Sequence, residues 1–191
     1  ARVGILAAVL ESSAFACVGG TVLDHSAVTL PCLTKQAGIL QLAQAAAAPC
    51  PPGAMDQAQA HQTWIDALRR IAATLPHGSR LLLCSDFHWL AADDAPLLAH
   101  LALRHDVACV HITDPSEHAL PALGRASFFD IATQHLRWVD TGKREVRERF
   151  AQAAGARRAE IENRLRQIDI AYFALSTGSN PMQLFLEGMD D

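Results

Sequence analysis

The segment Leu81-Leu82-Leu83-Cys84-Ser85-Asp86-Phe87 constrains this chain more than any other. It is an apolar run that ends abruptly in a hydroxyl and a carboxylate. A short apolar run bounded by polar residues reads as a strand buried on both faces, as in a parallel sheet. Asp106 to Thr113 and Ile170 to Leu175 read as two more strands. Helical patterns lie between them. Asp93 or Asp94 caps a helix with Pro96 in its first turn that runs to about Arg104, and a charged helix covers about Lys143 to Gln167. Strands alternating with helices imply βαβ units, hence an α/β fold with a mainly parallel sheet and helices on both faces. In open sheets of this kind the ligand crevice lies outside the carboxyl ends of the strands. Asp86 sits where such a fold holds a ligand.

The chain opens directly into Val3 to Leu10, which reads as a buried strand. A domain that begins in mid-core has lost something upstream, so the chain reads as a fragment of one domain spanning residues 1–191. Gly19-Gly20 is a hairpin turn signal between Phe15 to Val18 and Thr21 to Leu23, and Ala27 to Leu30 is a short strand stopped by Pro31. Helices follow over Lys35 to Ala48 and about Asp56 to Leu75, separated by Pro49-Cys50-Pro51-Pro52-Gly53. Two short β segments are expected at Ala126 to Ile131 and Leu136 to Val139, and a terminal helix near Asn180-Pro181.

Composition narrows the function classes. A formal net charge of -4 gives no general attraction to nucleic acid or anionic lipid. No apolar run approaches the roughly 20 residues that span a bilayer, and the N-terminus carries no signal-peptide pattern. The five cysteines, at irregular spacings, read as reduced thiols of a cytoplasmic protein. There is no G-x-G-x-x-G, Walker A loop, G-x-S-x-G elbow, H-E-x-x-H or C-x-x-C. The helix from Lys143 holds eight of the 16 basic residues, diluted by glutamates, and reads as amphipathic with a solvated face.

Two carboxylates remain as candidates. Asp86, with Ser85, offers oxygen ligands to a hard cation such as Mg²⁺; the plainer role is to hydrogen-bond amides of the following turn. Asp114, in Asp114-Pro115-Ser116-Glu117, ends the neighbouring strand, where turn chemistry is the better reading. His88, two residues past Asp86, lines the same crevice or a solvated loop.

With these residues in view, the chain resembles a bacterial family of unknown function that carries a von Willebrand factor A-like domain and is encoded beside MoxR-type AAA+ ATPases. The resemblance runs through Arg2-Val3-Gly4-Ile5-Leu6, Leu81 to Phe87, Arg104-His105-Asp106-Val107, Asp114 to Glu117, and Leu120-Pro121 with Gly124 following. It implies a Rossmann-type three-layer fold, here lacking its first strand and helix. It also implies a metal-ion-dependent adhesion site built from a D-x-S-x-S motif, a threonine and a later aspartate. Asp86 matches that aspartate, and Thr63 is the nearest candidate for the threonine, one residue short in spacing. The D-x-S-x-S segment has no match; Asp24-His25-Ser26 stands in the wrong place and lacks the second serine.

The expectations follow from that partial site. This chain binds Mg²⁺ weakly or not at all, and it associates with its own kind through open sheet edges. It acts not as an enzyme but as a cytoplasmic protein-binding module, with an AAA+ ATPase partner, in assembly or maturation of a protein complex. It touches neither nucleic acid nor membrane. The alternative is a metal-dependent hydrolase or phosphotransferase using Asp86 and Asp114, with His88 as acid or base.

Overall fold

A computed structural model describes residues 2–12, 17–23, 27–48, 57–130 and 135–182. The chain divides into two compact units, Ala1–Pro76 with Asn180–Asp191, and His77–Ser179.

The first unit contains helix α1 (Arg2–Ser12), strands β1 (Cys17–Leu23) and β2 (Ala27–Thr34), and helices α2 (Lys35–Ala47) and α3 (Gln57–Thr74). The opening run is therefore helix where a strand is expected. Its Leu and Ala residues are strong helix formers, and a short apolar run has the same periodicity in a buried strand as in a buried helix. Val3 and Ala8 are its buried residues.

β1 and β2 pair antiparallel, but Gly19-Gly20 is not their turn. Both glycines lie inside β1, where the register shifts between Val18 and Gly20, so that Pro31 and Cys32 together oppose Gly19. That bulge explains how β2 runs through Pro31, since a bulge tolerates the missing ladder donor. Gly38 lets α2 lie close on this hairpin: a Cβ there would stand 2.7 Å from the carbonyl oxygens of Val18 and Leu33. Cys17 and Cys32, expected to be reduced, form a disulfide across the bulge with Cα atoms 5.5 Å apart. Cys84 and Cys109 are free thiols. Asp24-His25-Ser26, and the expected terminal helix beyond Met182, lie outside the described residues.

The second unit holds β3 (Arg80–Ser85), α4 (Ala95–Ala102), β4 (Asp106–Thr113), α5 (Pro115–His118), β5 (Arg125–Asp130), β6 (His135–Asp140), α6 (Arg144–Gln167) and β7 (Ala171–Ser176). β3, β4 and β7 form a parallel sheet in that order, with Ser85 beside His111 and Thr113 beside Ser176. β5 and β6 make a separate antiparallel hairpin. The expected α/β class is thus met by a three-stranded parallel sheet with helices.

The core of this unit is built from Leu83, Val107, Cys109 and Val110 of the strands, Leu98 and Leu101 of α4, and Ile161 and Leu165 of α6. Asp94 stands at the N-terminal boundary of α4, with Pro96 in the first turn, but its side chain does not cap that helix as expected; its Oδ2 accepts instead from the upstream Ala91 amide at 2.7 Å. α6 ends in a Schellman motif around Asp169, whose φ is 57°. The Ile170 amide donates to the Leu165 carbonyl at 3.0 Å and the Asp169 amide to that of Arg166 at 3.1 Å. This reversal feeds the chain straight into β7.

Candidate functional site: the carboxyl ends of the parallel strands

Three strand ends, after Ser85, Thr113 and Ser176, lie side by side in the second unit. The β3 end turns sharply. Phe87 has φ 53°, a left-handed conformation uncommon for a bulky residue, and its side chain is completely buried. The ring lies 5.9 Å from Trp89 and 5.8 Å, edge-on, from His111. Burying that ring requires the chain to reverse, and the reversal throws Asp86 and His88 outward, where both are exposed.

Polar bonds fix the turn. Ser85 Oγ accepts from the Phe87 amide at 3.1 Å and from Trp89 Nε1 at 3.2 Å. Asp86 Oδ1 accepts from the His88 amide at 3.1 Å and from Ser85 Oγ at 3.3 Å. Arg157, from α6, donates to the carbonyls of Phe87 and Leu90 at 3.4 and 3.3 Å. Asp86 thus spends one oxygen on its own turn, while Oδ2 carries no bond to any described residue.

Asp114 is used differently. Its Oδ1 accepts from Ser116 Oγ at 2.7 Å and from the Ser116 amide at 2.9 Å, capping α5, and Glu117 returns the bond to the Asp114 amide at 3.2 Å, a capping box. Its Oδ2 accepts from Thr177 Oγ1 at 2.8 Å, tying the β4 end to the β7 end. These hydroxyl and amide donors, the Ser116 side chain foremost, hold its carboxyl below the usual value. Both oxygens of Asp114 are committed.

Beneath the surface lies a polar layer that pattern reading missed. His111 and Thr113 are buried on β4. His111 Nδ1 shares a 2.8 Å hydrogen bond with the Tyr172 hydroxyl, and Thr113 Oγ1 shares one of 2.8 Å with His118 Nε2. Burial lowers the His111 pKa, with Asp86 and Glu117 pulling the other way, and burial raises that of Tyr172. Two polar residues at i and i+2 of an otherwise apolar strand were the available signal.

Of the expected residues, Ser85, Asp86 and His88 share one turn, and Asp114 lies at the next strand end. Thr63 belongs to the other unit, in α3, where its hydroxyl donates to the Gln59 carbonyl at 2.8 Å. Asp86 offers a hard cation one oxygen, and Mg²⁺ demands near-octahedral oxygen coordination. Among the described residues no three His, Cys, Asp or Glu side chains are grouped to hold a metal.

Residues 3–160 match the family described as Protein of unknown function DUF58. The chain belongs to the DUF58 family. It is 33% identical over 117 residues to the uncharacterized protein MAV169 of Mycobacterium avium, an alignment covering 60% of this chain and 65% of that protein. This DUF58 chain therefore spans less than two thirds of that relative. It is also similar in fold to the conserved hypothetical protein BatB of Bacteroides thetaiotaomicron, known from a crystal structure. The TM-score is 0.50 at 11% identity, over 98% of this chain and 83% of that one.

Proposed function

We propose that this DUF58 chain is a protein-binding module of von Willebrand A-like type. In this reading it acts beside a MoxR-type AAA+ ATPase in the assembly or maturation of another protein complex. The observation that carries the reading is the contrast between the two carboxylates. Asp86 stands exposed on a braced turn, its Oδ2 bonded to none of the described residues, whereas both oxygens of Asp114 accept hydrogen bonds within the fold. A preorganised, outward carboxylate suits capture of a partner's side chain. The hydrolase alternative asks Asp86 and Asp114 to share a cation, which would have to compete with the Ser116 and Thr177 hydrogen bonds of Asp114. The reading rests on the Asp86 carboxylate itself, not on a bound metal.

Self-association through sheet edges belongs to the same reading: β3 and β7 are the outer strands of the parallel sheet, and among the described residues no further strand pairs with either. The test is binding of the purified chain to a MoxR-type AAA+ ATPase by interferometry. Asp86→Ala is expected to weaken that binding roughly tenfold or more, the worth of a hydrogen bond to a charged group. Absence of binding, or Mg²⁺-dependent phosphatase or esterase activity that needs both Asp86 and Asp114, would overturn the proposal.

A further inference from the structure

Three basic side chains of the second unit meet at the amino ends of its strands, the end of the sheet away from Asp86. His77 lies just before β3, and Arg104 and His105 lie between α4 and β4. Backbone bonds clamp the two segments together. The Gly78 amide donates to the Arg104 carbonyl at 2.9 Å, and the Asp106 amide to the Ser79 carbonyl at 3.0 Å. Arg104 Nη2 donates to His77 Nε2, and the rings of His77 and His105 have their centroids 6.2 Å apart.

His105 is only 5% exposed, yet neither of its ring nitrogens bonds to any described residue, and Arg104 Nε is buried in the same condition. Buried polar groups are nearly always paired, so these orphans call for an explanation. The carboxyl end of α4 suits cations, but these nitrogens do not cap it. The Leu101 carbonyl takes the Arg104 and His105 amides instead, at 3.1 and 2.9 Å. Asp106, the next residue, accepts from Arg80 Nε at 2.8 Å. Burial, then Arg104, His77 and His100 of α4, holds the His105 pKa down, and among the described residues no carboxylate opposes them. A metal cation is a poor occupant, because Arg104 stands against the His77 ring and no three metal-ligating side chains are grouped among the described residues. A planar carboxylate is served by one guanidinium fork. Donors from a guanidinium and two imidazoles suit instead a tetrahedral oxyanion, which offers oxygens in several directions.

We propose that His77, Arg104 and His105 form a binding site for a phosphate-type oxyanion, either free phosphate or a phosphate monoester. The bound dianion favours the protonated His105 ring, so binding takes up a proton. Calorimetry with inorganic phosphate on the full chain is expected to show one saturable site, with acetate bound at least about tenfold more weakly. Sulfate keeps its charge near neutrality, so its affinity is expected to rise about fivefold from about pH 7.5 to about pH 6 through the histidine alone. Arg104→Gln and His77→Ala are each expected to weaken phosphate binding about tenfold, the worth of a hydrogen bond to a charged group, with the circular dichroism unchanged. His105→Gln is expected to abolish the pH dependence. Should that variant not fold, the shift of the wild-type His105 ring resonances on adding phosphate reads the same contact. Tighter binding of glycerol phosphate than of inorganic phosphate assigns the site to an ester, and the reverse to the free ion; either supports the proposal. Absence of saturable binding, acetate bound as well as phosphate, or binding indifferent to both Arg104→Gln and His77→Ala overturns it.

Discussion

Phe87 offers the sharpest test of how the candidate site is held. Its side chain is fully buried and its backbone is left-handed, with φ 53°. Truncating a buried Phe to Ala costs about 3–5 kcal/mol, and the contacts with Trp89 and His111 put this site at the upper end of that range. Phe87→Gly removes one atom more, and on ordinary backbone Gly is about 0.5–1 kcal/mol worse than Ala. Here the order should reverse. A left-handed residue with a Cβ carries about 1–2 kcal/mol of strain that Gly does not, so Phe87→Gly is expected to match Phe87→Ala or exceed it by up to about 1 kcal/mol. Urea denaturation followed by tryptophan fluorescence, at unchanged slope, measures both. If Phe87→Ala loses less than about 1 kcal/mol, the ring does not anchor the turn. If Phe87→Ala is the more stable of the two by the ordinary margin, the turn is not left-handed in solution.

Other predictions concern titration and reactivity. Burial, with Arg104, His77 and His100 nearby, holds the His105 pKa below its ordinary 6.5, and burial does the same to His111. Both are buried, which disfavours the charged form in the folded state, so the unfolded chain binds protons more readily. Stability should be full above pH 6.5 and fall as pH drops below it, and His105→Leu should flatten that slope in urea titrations at several pH values. Asp114 behaves in the opposite sense of charge: its lowered pKa contributes stability above pH 3.8 that is lost as pH falls through the folded value. Asp114→Asn should therefore destabilise at neutral pH and lose its effect in acid, as read by thermal unfolding. Burial pushes the thiols of Cys84 and Cys109 up to about 11 and about 12, so iodoacetamide should label neither in the native state at neutral pH, as mass spectrometry would show. Calorimetry should find Mg²⁺ binding no tighter than millimolar; a tight site abolished by Asp86→Ala would contradict the donor count at that turn.

What was legible in the sequence was mostly local. Leu81 to Ser85, Asp106 to Thr113 and Ile170 to Leu175 carry their own strand patterns, and Asp94 with Pro96 announces α4; the strands lie within a residue of these bounds, while α4 ends at Ala102, short of Arg104. The opening apolar run was ambiguous because nothing within it separates a buried helix from a buried strand. Gly19-Gly20 reads as a turn from its neighbours alone; its place inside β1 depends on a register with Pro31 and Cys32 that only pairing reveals. At the strand ends, Asp86 bonding the His88 amide follows from local turn chemistry. The Asp114–Thr177 bond joins residues 63 apart, and His111 meets Tyr172 across 61. No spacing rule reaches that far, so the polar layer beneath the site stayed hidden.

The central claim is that the strand-end turn around Asp86 is where a partner docks. Hydrogen exchange of the chain, alone and with a MoxR-type AAA+ ATPase, tests it most directly. The account predicts new protection over residues 85–90, extending to residues 114–118 at the neighbouring strand end, and its loss with Asp86→Ala. Protection confined to other surfaces, or unchanged by that substitution, would contradict it.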